Sequence, residues 1–575
     1  MRSIRARTSA LATCFALAGA ACGEPLPAPI DAAHPDDRTP RRGGELRLAT
    51  FADVRALDPA VASDGLATAV LSHVFAGLVD FDEKGRVVPE LAERIDVSAD
   101  GLELRFPLRP GVRMHDGEEL TADDVVRSVR RALHPETPNV SASFYESLAG
   151  FAEYQAGTSK DLPGVFSEGR YLVGFRLAKR DATFLPALAL LSLRPTCKSA
   201  GDRYDDGWTP CGAGPFMLRA WDRGRGVVLA RHDAYFRPGE PYLDRISWTF
   251  LVNPVTQRFK LEDGDIDGTR ELSLADAARV RSDPRWAPLG RFEAENQIGG
   301  EGMNVEVPPF DNVEIRRAVA AAIDRDQLRK LRTTNLAAQT RVLPPALAEP
   351  EPDFPGQRHD LAAALEHMAR AGYPYDPATG EGGWPYPIPY VTYKQGLHEL
   401  TAQIVQQQLA RIGLRLELKI VSFPTYLAMT HRRGRVAMAP QGWSQDFPDA
   451  ADFFDPLFAS KSINDEDSSN TSFYSNPRLD ALLDEARGEL DPARRRALYR
   501  QADALVCDDA PWAFAYTYRF FSVHQPYVRG YEPHAVWPEH HARTWLDRAS
   551  AAVASRAGVL EGAVLAALGK RRGPR

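Results

Sequence analysis

The residues of this chain whose types could do chemistry are few and scattered. Asp263-Gly264-Asp265-Ile266-Asp267-Gly268 imitates the start of a calcium loop. The twelfth position of such a loop must supply a bidentate Glu, and Leu274 stands there, so a structural turn is the better account. His534, His540 and His541 gather near the C-terminus but share no metal-ligand spacing with cysteine or with one another. They read as surface residues, and no metal site is expected. The chain carries no Walker-type phosphate loop, no Gly-x-Ser-x-Gly elbow and no His-Glu-x-x-His. No catalytic residue and no cofactor follows. An extracellular hydrolase stays the enzymatic rival, with no motif in its favour, and reversible capture needs no reaction.

The elements that would position a binding site are legible in places. Glu45–Ala49 reads as a short strand, broken by Leu57-Asp58-Pro59, and Leu66, Val70, Leu71, Val74, Phe75 and Leu78 then recur at helical spacing. Leu102, Leu104, Phe106 and Leu108 alternate with polar residues or proline, the pattern of a strand with one buried face. Thr121-Ala122-Asp123-Asp124 starts a helix in capping-box style, and Asp311 through Glu314 repeats that logic before Ala318, Val319, Ala322 and Ile323. Ile388–Tyr393, Leu397–Ile412 and Leu414–Ile420 read as strand, helix and strand, with Gly413 placed to end the helix. Such a unit implies a parallel pair and an α/β lobe. A last strong helix opens at Asp491-Pro492.

At 575 residues, with 44% hydrophobic and 26% charged side chains, the chain is an ordinary globular protein of two or three domains. A formal net charge of -7 gives no electrostatic case for nucleic acid. Residues 1–21 read as an export signal, with Arg2, Arg5 and Arg7 before the apolar run Ser9–Ala21. Ala20-Ala21-Cys22-Gly23 resembles a bacterial lipoprotein cleavage site, which would make Cys22 the lipidated first residue, although Gly19 stands where Leu is usual. Ordinary cleavage beside an incidental cysteine is the alternative. Residues 22–43 form a Pro-rich tether without hydrophobic period. Export favours a disulfide between Cys197 and Cys211 across a turn-rich segment; metal ligation is the alternative, without a nearby histidine to support it. Cys507, on a helix with Leu498, Ala502 and Leu505, reads as a buried structural thiol. The tail, 549–575, is Ala-rich with basic residues near its end, and a helical appendage and a disordered tail are both compatible with it.

Three widely separated stretches together resemble one family. The first runs from Pro89-Glu90-Leu91-Ala92-Glu93 through Asp100-Gly101-Leu102, Gly111-Val112 and His115-Asp116-Gly117 to Leu120–Val125. The second is Gly212-Ala213-Gly214-Pro215-Phe216, then Asn304, Pro308-Pro309-Phe310-Asp311 and Arg316-Arg317-Ala318. The third is Gly442-Trp443 with Asp446, Tyr474-Ser475-Asn476-Pro477, Asp480 and Asp508-Asp509-Ala510-Pro511. Their order and spacing are similar to those of the extracytoplasmic solute receptors of bacterial ABC importers, in the peptide- and nickel-binding branch. Ile95, near where Trp is common, and Ala213, in place of Thr, depart from the pattern.

The resemblance implies a two-lobed α/β periplasmic-binding-protein fold with an enlarged first lobe, mixed sheets flanked by helices and a hinge between lobes. Lobe 1 would comprise 44–300 and 513–548, and lobe 2 would comprise 301–512. It implies a monomeric receptor for a peptide or similar small solute, working with an ABC permease and held to a membrane by its lipid. A sensor lipoprotein, or a receptor for a nickel complex, an opine or a sugar, are the rival readings. Gly442, Trp443, Ser444 and Asp446 match the family's ligand-lining segment, in which the Asp resembles the partner of a peptide α-ammonium. A carboxylate buried on closure calls for such a cation. Ala62 and Asp64, after Leu57-Asp58-Pro59, and the pair Phe144-Tyr145 fall where family members approach bound peptide. Oligopeptide receptors tend to carry arginines shortly before the Gly-Trp pair; here Arg432, Arg433 and Arg435 are shifted from those places.

Overall fold

The computed structural model describes residues 39–548, except 63, 204–207, 332–335, 349–350, 352 and 395–396, and leaves the side chains of 293–296 undescribed. The signal-like start, Cys22, most of the tether and the 549–575 tail lie outside the described residues.

The first lobe opens with β1 (Glu45–Ala49) and α1 (Gly65–Val74). Next come β2 (Glu103–Pro107), which buries Leu104 and Phe106, and α2 (Ala122–Ala132). The Asp124 carboxylate accepts both the Thr121 hydroxyl, at 2.6 Å, and the Thr121 amide, at 3.0 Å, which fixes the start of α2 where the sequence placed it. β3 (Phe216–Asp222), β4 (Gly226–Arg231), β5 (Arg245–Thr249) and the short β6 (Gly268–Thr269) complete the first-lobe part of the large sheet. Cys197 and Cys211 are bonded to each other, which spends the thiolates that a metal would need.

A long strand, β7 (Gly290–Met303), then leads into α3 (Val313–Ala322), whose cap is Asn312, one residue later than the sequence pattern suggests. β8 (Ile388–Tyr393), α4 (His398–Ala410) and β9 (Leu416–Val421) form the expected unit, with β8 and β9 parallel. Gly413 ends it at φ 79°, where a Cβ would lie 2.7 Å from Gly383. β10 (Met438–Ser444), α5 (Ala451–Phe458), α6 (Pro477–Gly488) and α7 (Pro492–Asp509) follow, and β11 (Trp512–His524) returns the chain to the first lobe.

One sheet runs through both lobes in the order β9-β8-β10-β7-β11-β6-β1-β5-β4-β3. The first lobe's main core draws on residues between Leu46 and Phe250, with Phe447, Trp537 and Leu546. A second core lies between Met303 and Tyr516. The two crossings, β7 and β11, pair antiparallel from Gly290–Val523 to Gly302–Trp512, and their register slips between Ala294 and Ile298 and between Gly299 and Gly300.

Two turns resolve differently from their bare sequence patterns. Asp267 is fully buried and accepts the Arg47 guanidinium at 2.8 Å and the Tyr527 hydroxyl at 2.7 Å, so the acidic turn is a structural junction. The C-terminal histidines correct the surface reading. His541 is fully buried, and its amide donates to Nε2 of the equally buried His73 at 2.9 Å. His540 and His534 pack into the same cluster.

Gly300→Ala tests the crossing, because its Cβ would stand 2.3 Å from the Ala513 carbonyl oxygen. The urea midpoint should fall by the equivalent of about 1–3 kcal/mol with an unchanged slope. Gly488→Ala, which meets nothing within 4 Å, should not lower it.

Candidate functional site

A cavity of about 440 Å³ opens between the lobes, beside the crossings. That volume lies in the range that encloses small solutes. Its first-lobe floor is the loop Pro59–Ala62 with Gly65 and Thr68 of α1. Asp58 builds this loop, since its carbonyl accepts the Val61 and Ala62 amides at 3.1 and 2.9 Å and its Oδ1 accepts the Ala60 amide at 3.0 Å. The same carboxylate pairs with the buried Arg131 of α2, whose guanidinium lies 4.7 Å over the Trp208 ring. Asp64 spends its carboxylate on the Ala67 amide at 2.8 Å, capping α1.

A second wall, Leu190–Ser192 and Trp537, rests on another buried arginine. Arg194 donates to the Phe75 carbonyl and to Asp80 at 2.9 Å, and lies 4.8 Å from the Trp537 ring. Trp537 in turn donates to Asp80 at 2.7 Å. His534 faces the cavity as a neutral ring: Nδ1 accepts the Val536 and Trp537 amides, so Nε2 carries the proton and donates to the Phe81 carbonyl at 3.1 Å. Burial lowers its pKa.

The second lobe contributes Gln297, Ser444, Gln445 and Asp446. Gln445 donates across the gap to the Ala535 carbonyl at 3.0 Å, and Phe447 enters the first lobe's core, its ring 5.3 Å from that of Phe144. On another edge the Ala182 amide donates to the Arg487 carbonyl at 2.8 Å, so the lobes are in contact at both places. The Asp446 amide donates to the buried Asp452 carboxyl at 2.8 Å. Burial, reinforced by the charge of Asp446, holds Asp452 well above the ordinary carboxyl range, which favours its neutral form. The Asp446 carboxylate itself meets no hydrogen-bond or ion-pair partner among the described residues. It stays accessible to cleft water but is walled by protein, and the loss of bulk hydration pushes it up to about 6.

Of the residues expected at the site, Ala62, Ser444 and Asp446 line the cavity. Gly442 and Trp443 lie on the same strand just behind it, opposite Gly299 and Ile298, with the Trp443 indole 3.4 Å from Asp452. Phe144 serves the lobe contact. Tyr145 is a correction, being fully buried with its hydroxyl 2.9 Å from both the Ala187 carbonyl and Ser192 Oγ, so it supports a lining residue and does not line the cavity. Asp64 is a helix cap. Arg270, Phe520 and Trp537 also line the cavity and were not anticipated. No local pattern marks them, because each arrives from a different chain segment.

Residues 86–465 match the bacterial extracellular solute-binding proteins, family 5. The chain belongs to this family. It is 27% identical over 494 residues to the glutathione-binding protein GsiB of Salmonella typhi, spanning 85% of this chain and 91% of the relative. Among solved structures, the Helicobacter pylori periplasmic binding protein DppA in complex with the peptide STSA superposes with a TM-score of 0.72 at 25% identity, covering 88% of this chain and 99% of that one. The clavulanic acid biosynthesis oligopeptide binding protein 2 gives 0.77 at 26% identity, covering 88% and 96%. The two-lobed fold is thus a family property. In this solute-binding protein the loop of Asp58 should be the fragile part. Asp58→Ala strands the Arg131 charge, and denaturation should show a loss of about 3–5 kcal/mol.

Proposed function

We propose that this protein is a receptor that closes its lobes on a short peptide-like solute, holds the solute's ammonium on Asp446 and delivers it to an ABC import permease. The observation that carries the reading is a carboxylate that lines the interlobe cavity with no protein cation against it among the described residues. A charge placed that way costs free energy until a cationic group meets it. The printed ligands of relatives, glutathione for GsiB and a tetrapeptide for DppA, carry such a group and support the assignment. Contact of the lobes through Gln445 and Phe447 gives the closed shape that a permease can sense. No helix among the described residues is long and apolar enough to cross a membrane. A lipid on Cys22 would supply the attachment, supported by the small residues before it and the tether after it. Cys22→Ser should therefore move the mature protein from the detergent phase to the aqueous phase.

Asp446→Asn separates function from folding. Calorimetry with short peptides should show a loss of about 2–5 kcal/mol in binding. Because the folded carboxyl lies above its unfolded value, ionisation lowers the stability of the ligand-free protein as pH rises from the ordinary carboxyl range to about 6, and the full loss is present above that. The variant should therefore melt higher than the parent at pH 7. Unchanged affinity would sink the reading. An ammonium favours only the ionised carboxylate, so affinity should be flat above pH 6 and fall about tenfold per pH unit below it.

A further inference from the structure

The lobes meet a second time away from the ligand cavity, around Asp181. Asp181 and Ala182 of the first lobe border another space of about 590 Å³, walled by Leu104 and Leu185 on one side and by Leu343 and Leu490 on the other. Among the described residues, it shares no lining side chain with the ligand cavity. The Asp181 side chain is fully buried. Its Oδ1 accepts the Thr183 amide at 3.0 Å and the Thr183 hydroxyl at 2.6 Å. Its Oδ2 accepts no hydrogen bond among the described residues and lies 3.6 Å from the guanidinium of Arg487, in the last turn of α6 on the second lobe. Arg487 also donates to the Thr183 hydroxyl at 3.5 Å and pairs with Asp455 of α5 in its own lobe. One guanidinium thus serves a carboxylate from each lobe. Asp455 has it in any arrangement of the lobes, and has Lys461 at 3.4 Å as well. Asp181 has it only while the lobes are together. A carboxylate buried without a cation is costly, so the first lobe carries a charge whose burial the second lobe must compensate.

We propose that Arg487 is a positioning residue for closure: from outside the ligand cavity, it sets how tightly the receptor holds its solute by supplying the cation that Asp181 needs once the lobes meet. The β7–β11 ribbon links the lobes, and the shared guanidinium favours the arrangement in which they touch. The inference rests on the two-lobed fold and on the contact at Arg487, not on the identity of the solute. It and the peptide reading can therefore fail separately.

The test compares the parent with Arg487→Gln, Arg487→Lys and the double variant Arg487→Gln/Asp181→Asn. Hydrogen exchange of the peptide that carries Ala182 is measured beside calorimetry with a randomised tripeptide pool. Ala182 reads the contact directly, because its amide donates across the boundary to the Arg487 carbonyl. In Arg487→Gln two carboxylates face a neutral side chain, so Ala182 should exchange at least fivefold faster and the pool should bind at least tenfold more weakly. Arg487→Lys offers one ammonium where a planar fork served two carboxylates, and should fall between. Asp181→Asn keeps an acceptor for Thr183 and removes the charge, so the double variant should return to within about threefold of the parent in both readouts. An Arg487 that merely braces Asp455 inside its own lobe predicts no such recovery, and a double variant as impaired as Arg487→Gln overturns the proposal. Equal exchange in the parent and Arg487→Gln overturns it too, as does an unchanged affinity for a pool that the parent binds. A pool that binds to none of the proteins defeats the peptide reading, and the exchange comparison then decides this inference alone. Should Arg487→Gln fail to fold, Arg487→Lys with and without Asp181→Asn gives the same comparison.

Discussion

The structure hangs on one antiparallel pair, β7 against β11, through which the chain leaves the first lobe and comes back. Both crossings are strands of the same sheet, so a rotation of one lobe must bend a hydrogen-bonded ribbon. Its ladder is interrupted at the slips between Ala294 and Ile298 and between Gly299 and Gly300, where fewer backbone hydrogen bonds resist such bending. Room is short at the second slip. A Cβ on Gly299 would lie 2.3 Å from the Tyr516 ring, and one on Gly300 would lie 2.3 Å from the Ala513 carbonyl oxygen. Gln297, inside the first slip, lines the cavity while its carbonyl accepts the Thr517 hydroxyl at 2.5 Å. The hinge and one wall of the site are the same few residues.

Around this ribbon the buried charges follow a consistent rule. Asp58 is matched by Arg131, and Asp80 by Arg194 and the Trp537 indole. Glu301, on β7 and fully buried, is pushed up to about 7 by burial, and the Tyr390 hydroxyl donates to it at 2.7 Å. Asp452 is likewise driven toward its neutral form. Each wall carboxyl is paired or raised by desolvation, and Asp446 stands apart by facing open cavity. On the reading proposed above, an ammonium would supply the interaction that the protein leaves Asp446 without.

Much of the scaffold was legible in the chain, and the reasons are local. The unit from Ile388 to Val421 announces itself because each element keeps its own period and Gly413 marks the turn. Thr121 and Asp124 reveal a helix start by short-range hydrogen bonds. Asp446 was found through the motif around it. What escaped depends on distant partners. The histidines at 534, 540 and 541 lie in irregular chain without periodicity; His540 and His541 stack on His73, far back in the sequence, which itself packs on Phe216 and Trp248. Tyr145 was misplaced because an aromatic beside a turn reads the same whether it points to the core or to the cleft.

The return of the chain also explains why the first lobe is discontinuous. Strand β11 could have ended the protein once the sheet was complete, yet the chain continues to Leu546 over the back of the cleft. This segment brings Trp537 onto Asp80 and Arg194, His534 onto the Phe81 carbonyl and His541 onto His73. It also supplies the Ala535 carbonyl that Gln445 of the second lobe reaches. Burial holds His73 at about 4 and His541 well below its ordinary value, so both rings are neutral over the physiological range and pack as aromatic surface. The last described segment of the fold therefore touches the second lobe and lines the cavity as well as completing the first lobe. A chain lacking it would keep the Pro59–Ala62 floor, Leu190–Ser192 and the Phe144–Phe447 contact, but would lose the Trp537 and His534 side of the cavity and the Ala535 carbonyl that Gln445 reaches.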